Sequence, residues 1–353
     1  LASSAERTRD LVRVRYQQVA LEPGDVDRLH SLRAAALAND DRVHARAIEH
    51  VLRAFDQGAG PLPPPPLGAQ PDQPGILAML ARPSMDPAGE ALALLWDAGM
   101  QLFVRDAASY GITGVERVLP GPSSPLARVY DAAMRLLGGP RVPLFVTRSA
   151  TGPLDAQVAL LAPPSVILAG DVRRETTELR FELGRGIASA LPHNVLRRGL
   201  PTADGRAVVE ALRTAFGPPE LGRQVEARVA RLAESFWQII PASGQRRMQE
   251  ILRVTPLADH GELIEAAAQS GRRVGMFLAG DFTFAAASLL ADATHGAAET
   301  LSLSNLRAFC ANVPALADLL RLAVRSEYAD ARWHSAASSL QRRTVSSSRF
   351  RVF

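Results

Sequence analysis

Apolar residues recur at intervals of three and four along most of the chain, and the interval shortens only once. Residues 10–57 carry two such patterns, DVDRLHSLRAAALAND and DRVHARAIEHVLRAFDQ, joined through NDD. That period predicts helices with one buried face, and Asp40 or Asp41 can cap the second because a short carboxylate accepts from the free N–H groups of a first turn. Farther on, DPAGEALALLWDAGMQLFV places Asp86 at an N-cap and Pro87 at the first helical position, and SSPLARVYDAAMRLLG starts the same way and stops at Gly138. Between Val142 and Asp171 the period falls. VPLFVTRS, AQVALLAP and SVILAGD are short β-rich runs bounded by Gly and Pro, which predicts a small sheet of about three strands. Helical spacing then resumes up to about Val324, so the expected fold class is mainly α with a small β-sheet.

The breaks in these patterns divide the chain. GAGPLPPPPLGAQPDQPG cannot be helix or central strand, because proline removes backbone donors and fixes φ; it reads as a linker, partly in polyproline geometry. The tail SAASSLQRRTVSSSRFRVF lacks an apolar face and is expected to be mobile or extended. The expected organisation is therefore a helical hairpin over 1–57, a linker over 58–75, a main domain over 76–326 and a Ser/Arg-rich tail over 327–353. With small residues such as Ala36 and Ala45 where its two helices would pack, the hairpin resembles a terminal tetratricopeptide repeat, which implies the end of a longer helical array and a place within a larger protein or complex. The chain begins with Leu1, consistent with a fragment of something longer.

Composition removes several function classes. With 353 residues and 47% apolar content the chain can bury one large core or two smaller ones. No window supplies the roughly 18 uninterrupted apolar residues of a membrane span, the best being broken by Asp97, Arg105 and Arg173, so no membrane partner is expected. The N-terminal LASSAERTRDLVRVR is polar and basic, with no apolar core, and does not read as a secretory signal. The 40 basic residues are all arginine, and with 36 acidic residues they leave a formal charge of +4. They are scattered among carboxylates and the aromatic content is 5%, so nucleic-acid binding is the weaker reading. Cys310 alone permits no intramolecular disulfide and no cysteine zinc cluster, and it fits a reducing cytoplasm. At helical spacing beside Leu306 and Phe309 it reads as a buried small hydrophobe.

The segment TTELRFELGRGIASAL, Thr176 to Leu191, carries the most specific question. Its core FELGR is one substitution at each end away from H-E-L-G-H. A strand SVILAGD leading into this helix, with SGRRVGMFLAGDFTFAAASLL (Ser270 to Leu290) farther on, resembles the zinc endopeptidases of the gluzincin type that include the CAAX-prenyl proteases. In that family H-E-x-x-H lies on the first helix and E-x-x-x-D on the later one. The resemblance spans residues 120–291, and it places the two histidine ligands on Phe181 and Arg185, the catalytic glutamate on Glu182, the third ligand on Ala268 and the supporting aspartate on Arg272. Zinc needs neutral imidazoles and a carboxylate with one open position. Phenylalanine and alanine offer no lone pair, and an arginine stays protonated. The resemblance thus implies a scaffold without its chemistry: no cofactor, no metal, no catalysis. Taken without it, FELGR is an ordinary amphipathic helix with a Glu182–Arg185 pair at i,i+3.

Other polar candidates are no stronger. His44 and His50 lie on different helix faces and read as solvated or capping; His193 follows Pro192 at a helix end, a common place for a C-terminal histidine to meet the dipole. His260, with Glu262 and Glu265, is the nearest thing to a spare metal cluster, but Asp259 can cap there and two glutamates suit a first turn. The expected function is a non-catalytic interaction or scaffold module with a protein or peptide partner. The resemblance implies that the strand before the metal helix is a sheet edge that takes an extended peptide, here Ser165, Val166, Ile167, Leu168 and Ala169, with Arg185 and Arg272 favouring an acidic group. The rival is a metal-dependent hydrolase with an unrecognised ligand set that includes His260.

Overall fold

The computed structural model describes residues 4–56, 58, 60, 62–67, 76–81, 86–112, 117–139, 141–147, 152–219, 224–255, 257–293 and 302–333. Among the described residues the chain is mostly helical with a small sheet, as the change of period predicts, and the sheet has four strands where about three were expected. It divides into two compact units, and the division differs from the expected one. The first joins residues 1–76 to residues 275–353, and the second is residues 77–274.

In the first unit α1 (Ser4–Leu21), α2 (Val26–Ala38) and α3 (Arg42–Phe55) pack in succession. Asp25 and Asp41 cap α2 and α3 by accepting from Arg28 N at 3.1 Å and His44 N at 3.0 Å. Ala36 and Ala45 are buried, as their small size predicts. The α3 face meets α13 (Phe282–Ala293) and α15 (Pro314–Ala323), while α14 (Leu306–Asn312) packs on α15. A final helix, α16, covers residues 326–333. Two histidines fasten α3 to this C-terminal set. His44 Nε2 lies 2.8 Å from Val324 O, and His50 Nε2 accepts from Phe282 N at 3.0 Å. Both rings are buried, so neither histidine is solvated.

The hairpin, the linker and the beginning of the tail are therefore not separate pieces. Arg332, 1% exposed on α16, donates through Nη1 to Pro66 O at 2.9 Å and through Nη2 to Pro65 O at 2.8 Å. Its Nε reaches Phe277 O at 2.6 Å and Nη2 reaches Leu278 O at 3.3 Å, both near the end of α12 (His260–Ala279). A polyproline segment has no internal hydrogen bonds, so its carbonyls must find donors elsewhere when buried. A guanidinium supplies several donors from one side chain. Residues 62–67 are thereby a packed strap, and 326–333 is a buried helix; the remainder of the expected tail, 334–353, lies outside the described residues.

The second unit holds the sheet. The strands are β1 (Arg117–Val118), β2 (Leu144–Val146), β3 (Asp155–Ala159) and β4 (Ser165–Ala169), in the order β1-β2-β4-β3. β4 pairs parallel with β2 and antiparallel with β3. The edge expected at Ser165, Val166, Ile167, Leu168 and Ala169 is thus an interior strand, whose N–H and C=O groups on both sides belong to the sheet. Its first four residues are buried, the continuous apolar run of a strand covered on both faces.

Around the sheet lie α5 (Pro87–Gly99), α6 (Pro125–Leu137), α7 (Thr177–Ser189), α8 (Pro192–Gly199), α9 (Thr202–Phe216), α10 (Ala227–Ile239) and α11 (Ala242–Val254), with the short α4 (Ile76–Ala81) before them. Asp86 and Ser124 cap α5 and α6, and Gly138 ends α6 at φ 61°, as the sequence predicts. Asp86 also takes a bidentate ion pair from the buried Arg197, both contacts at 2.9 Å. Burial alone would raise the Asp86 pKa, but the Arg197 hydrogen bonds and charge hold it below the usual carboxylate value. α7 lies against the sheet through Gly186, where a Cβ would stand 2.6 Å from Val166 Cγ1. The helical core gathers Leu95, Trp96, Leu212 and Phe236.

Candidate functional site

Two places in the second unit concentrate polar chemistry. The first is the position that the FELGR helix predicts. Thr176 caps α7, its Oγ1 accepting from Leu179 N at 3.0 Å, which fixes the phase of the helix. Phe181 and Glu182 then fall inside, 1% and 6% exposed. α12 passes close by, for a Cβ placed on Gly271 would be 3.7 Å from the Arg185 backbone. The two helices that carry Phe181, Glu182 and Arg185 on one side and Ala268 and Arg272 on the other are therefore neighbours.

The side chains between them are committed to one another. Arg185 Nη1 donates to Glu182 Oε1 at 2.8 Å, the expected i,i+3 pair, and Arg272 Nη1 donates to Glu265 Oε1 at 2.6 Å. Burial raises the Glu182 pKa above its ordinary value despite the Arg185 charge, and its Oε2 has no hydrogen-bond partner. Arg198, at the end of α8, adds a third cation: burial first, then the charges of Arg185 and Arg272, lower its pKa. Ala268 is half-buried one turn before Arg272. In this set phenylalanine and alanine have no lone pair to give, a guanidinium is not a metal ligand, and Arg185 and Arg272 already hold the carboxylates of Glu182 and Glu265.

The raised Glu182 pKa fixes the sign of one mutation. A carboxyl whose folded pKa lies above its unfolded value stabilises the fold less as pH rises through that interval, because the buried form prefers its proton. Glu182→Gln is therefore expected to leave the thermal midpoint at pH 7 unchanged or slightly higher, with the pH dependence near the carboxylate range flattened. A fall of several degrees at pH 7 would mean that the charged Glu182–Arg185 pair stabilises the fold more than its burial costs.

The second place is a cleft of about 820 Å³ bounded by α9, the start of α10 and the start of α12. Ala203 and Ala207 leave room on α9, Val209 and Val229 form apolar wall, and Arg206 and Glu226 stand at its exposed rim. At its edge Asp259 caps α12 as the sequence predicts, accepting from Glu262 N at 2.9 Å. His260 is 5% exposed and seated on Gly205, with neither ring nitrogen hydrogen-bonded. Burial, then the Arg206 charge, lowers its pKa and keeps it neutral at pH 7.

Other sequence candidates fall elsewhere. Glu262 and Glu265 are exposed, and Glu265 is bound to Arg272, so neither joins His260. Among the described residues, no three His, Cys, Asp or Glu side chains are placed to hold a metal ion, and no helix is long and apolar enough to cross a membrane. His193 lies in the first turn of α8, at the opposite end from the one expected, and is buried. Cys310 is buried, as predicted, and burial pushes its thiol up to about 11. The sequence reading missed Arg198, since one arginine among many carries no local signal, and the cleft, since three separate elements form it. Comparison with protein-family models, with curated proteins and with solved structures finds no match for this chain, so the site rests on its own geometry.

Proposed function

We propose that the chain is a non-catalytic protein-interaction module built on a degenerate zinc-protease-like scaffold, and that its protein or peptide partner docks at the cleft between α9, α10 and α12. The observation that carries this reading is the pairing within the α7–α12 cluster. Two helices stand side by side where the resemblance would put ligands, and the positions hold a buried phenylalanine and two guanidinia already matched to Glu182 and Glu265. Zinc would have to displace those pairs and meet no imidazole. The purified chain is accordingly expected to hold no stoichiometric zinc by elemental analysis; about one zinc per chain, lost on His260→Ala, would restore the metal-dependent hydrolase.

The cleft supports the binding half of the reading. Arg206 and Glu226, of opposite sign, make no ion pair with any described residue, and such a rim can select a partner of complementary pattern. The test compares three chains in the cell by quantitative cross-linking and affinity isolation. Glu182→Gln is expected to recover the same partners as the unmodified chain, and the double reversal Arg206→Glu with Glu226→Arg is expected to lose them about tenfold or more. Loss of cellular activity in a normally folded Glu182→Gln chain would overturn the reading in favour of catalysis.

A further inference from the structure

In the first unit the chain treats one of its own segments as a ligand. The strap of residues 62–67 has no helix or strand of its own, and four of its residues precede prolines, which disfavours helical backbone there; Pro63 and Pro66 are exposed and Pro65 is buried. Pro65 sits against Gly280, which ends α12 at φ 65° and whose N–H donates to Met276 O at 2.8 Å. A Cβ at Gly280 would stand 2.9 Å from Pro65 Cδ and 2.6 Å from Arg332 Nη2, so the seat exists only because that residue has no side chain. From the other side Arg332 grips the successive carbonyls of Pro65 and Pro66 with two guanidinium nitrogens and holds itself in place through Phe277 O and Leu278 O.

These features read proline-rich backbone for chemical reasons. A segment in polyproline geometry offers free carbonyls at fixed spacing and loses little entropy on docking. At the buried position proline brings no N–H that would need an acceptor. A planar guanidinium suits two neighbouring carbonyls in a way that a lysine ammonium does not. The anchorage is concentrated in one ring and two carbonyls, so it does not depend on which chain supplies them.

We propose that Gly280 and Arg332 form a receptor for polyproline peptide, occupied in cis by residues 63–66 and able to take a proline-rich segment of a partner protein when the strap leaves. The site lies outside the cleft and does not depend on the proposed function above. Tethering gives the strap an effective concentration on the order of 1 mM, so a partner competes only if its intrinsic affinity or its own local concentration exceeds that.

The experiment uses the full chain with Pro63, Pro64, Pro65 and Pro66 all changed to serine and the synthetic peptide PLPPPPLG as probe. Saturable binding at least about tenfold tighter than to the unmodified chain is expected, lost in the same chain carrying Arg332→Lys. No saturable binding by a folded variant at about 1 mM peptide, or equal binding of the control peptide PLAAAALG, overturns the proposal. Should the fourfold variant not fold, Pro65→Ala in the full chain decides. Its unfolding midpoint is expected to rise on adding PLPPPPLG, since a ligand that binds only the native state stabilises it, and an unchanged midpoint refutes the receptor.

Discussion

Arg332→Met is expected to lower the stability of the chain by at least about 3 kcal/mol, the largest effect of any single substitution considered for this protein. Four carbonyls, those of Pro65, Pro66, Phe277 and Leu278, accept from that one guanidinium, and the side chain is fully buried. Methionine fills similar space but leaves buried acceptors without donors, and each unsatisfied acceptor costs about 1–3 kcal/mol where water cannot reach it. Arg332→Lys is expected to fall between, because an ammonium is a compact donor that cannot span acceptors on two segments. The measurement is the urea midpoint, paired with limited proteolysis. The unmodified chain should resist cleavage within residues 62–67 and the methionine variant should be cut in the surrounding 58–75. Equal midpoints and equal resistance would show that the strap and α12 hold together without Arg332.

The second large effect is acid sensitivity centred on His50. Burial is the main cause that lowers its pKa to about 4; Asp281 acts against burial, and the charges of Arg332 and Arg46 act with it. The ring is also packed against Trp333, centroids 5.0 Å apart, and Nε2 accepts from Phe282 N, an interaction that requires the unprotonated nitrogen. A histidine whose folded pKa lies below its unfolded value near 6.5 contributes stability that is complete above the unfolded value and is lost as pH falls toward the folded one. The window is therefore about pH 6.5 to 4, and the total is on the order of 3 kcal/mol. His50→Gln keeps an acceptor for Phe282 N but does not titrate. The difference in urea midpoint between the two chains should shrink or reverse as pH is lowered through that window. A difference that stays constant would place the acid sensitivity on other groups, Asp86 and His260 among them, whose lowered pKa values act in the same direction.

What could be read in the sequence was local. Asp41, Asp86 and Ser124 were legible as helix caps because the acceptor and its N–H lie three residues apart. The Glu182–Arg185 pair and the existence of the strand before α7 were legible for the same reason. α1 was not, since SAERTRDLVRVRYQQVAL shows little apolar periodicity and buries Val19 alone among its larger apolar residues. Strand order was not legible either. Whether SVILA lies at the edge or in the middle depends on where Leu144–Val146 pairs, and nothing within the segment encodes that. Arg332 was the least legible, because its acceptors at Pro65 and Pro66 are more than 260 residues away in sequence. A run of four prolines reads as a spacer until a distant donor is found for its carbonyls.

Synthesis of the chain meets a delay that the finished fold conceals. α3 and the proline strap emerge early, yet the partners that cover them, Phe282, Val324 and Arg332, come only after residues 77–274 have been made. At ribosomal speeds of about 5–20 residues per second that interval lasts roughly 10–40 s. For that time the apolar face of α3, with Ile48, Val51 and Phe55, has no C-terminal half to close on. The N-terminal segment thus spends that interval as an unfinished surface, and a chain ended before residue 275 would carry α3 and the strap without the Phe282, Val324 and Arg332 that hold them.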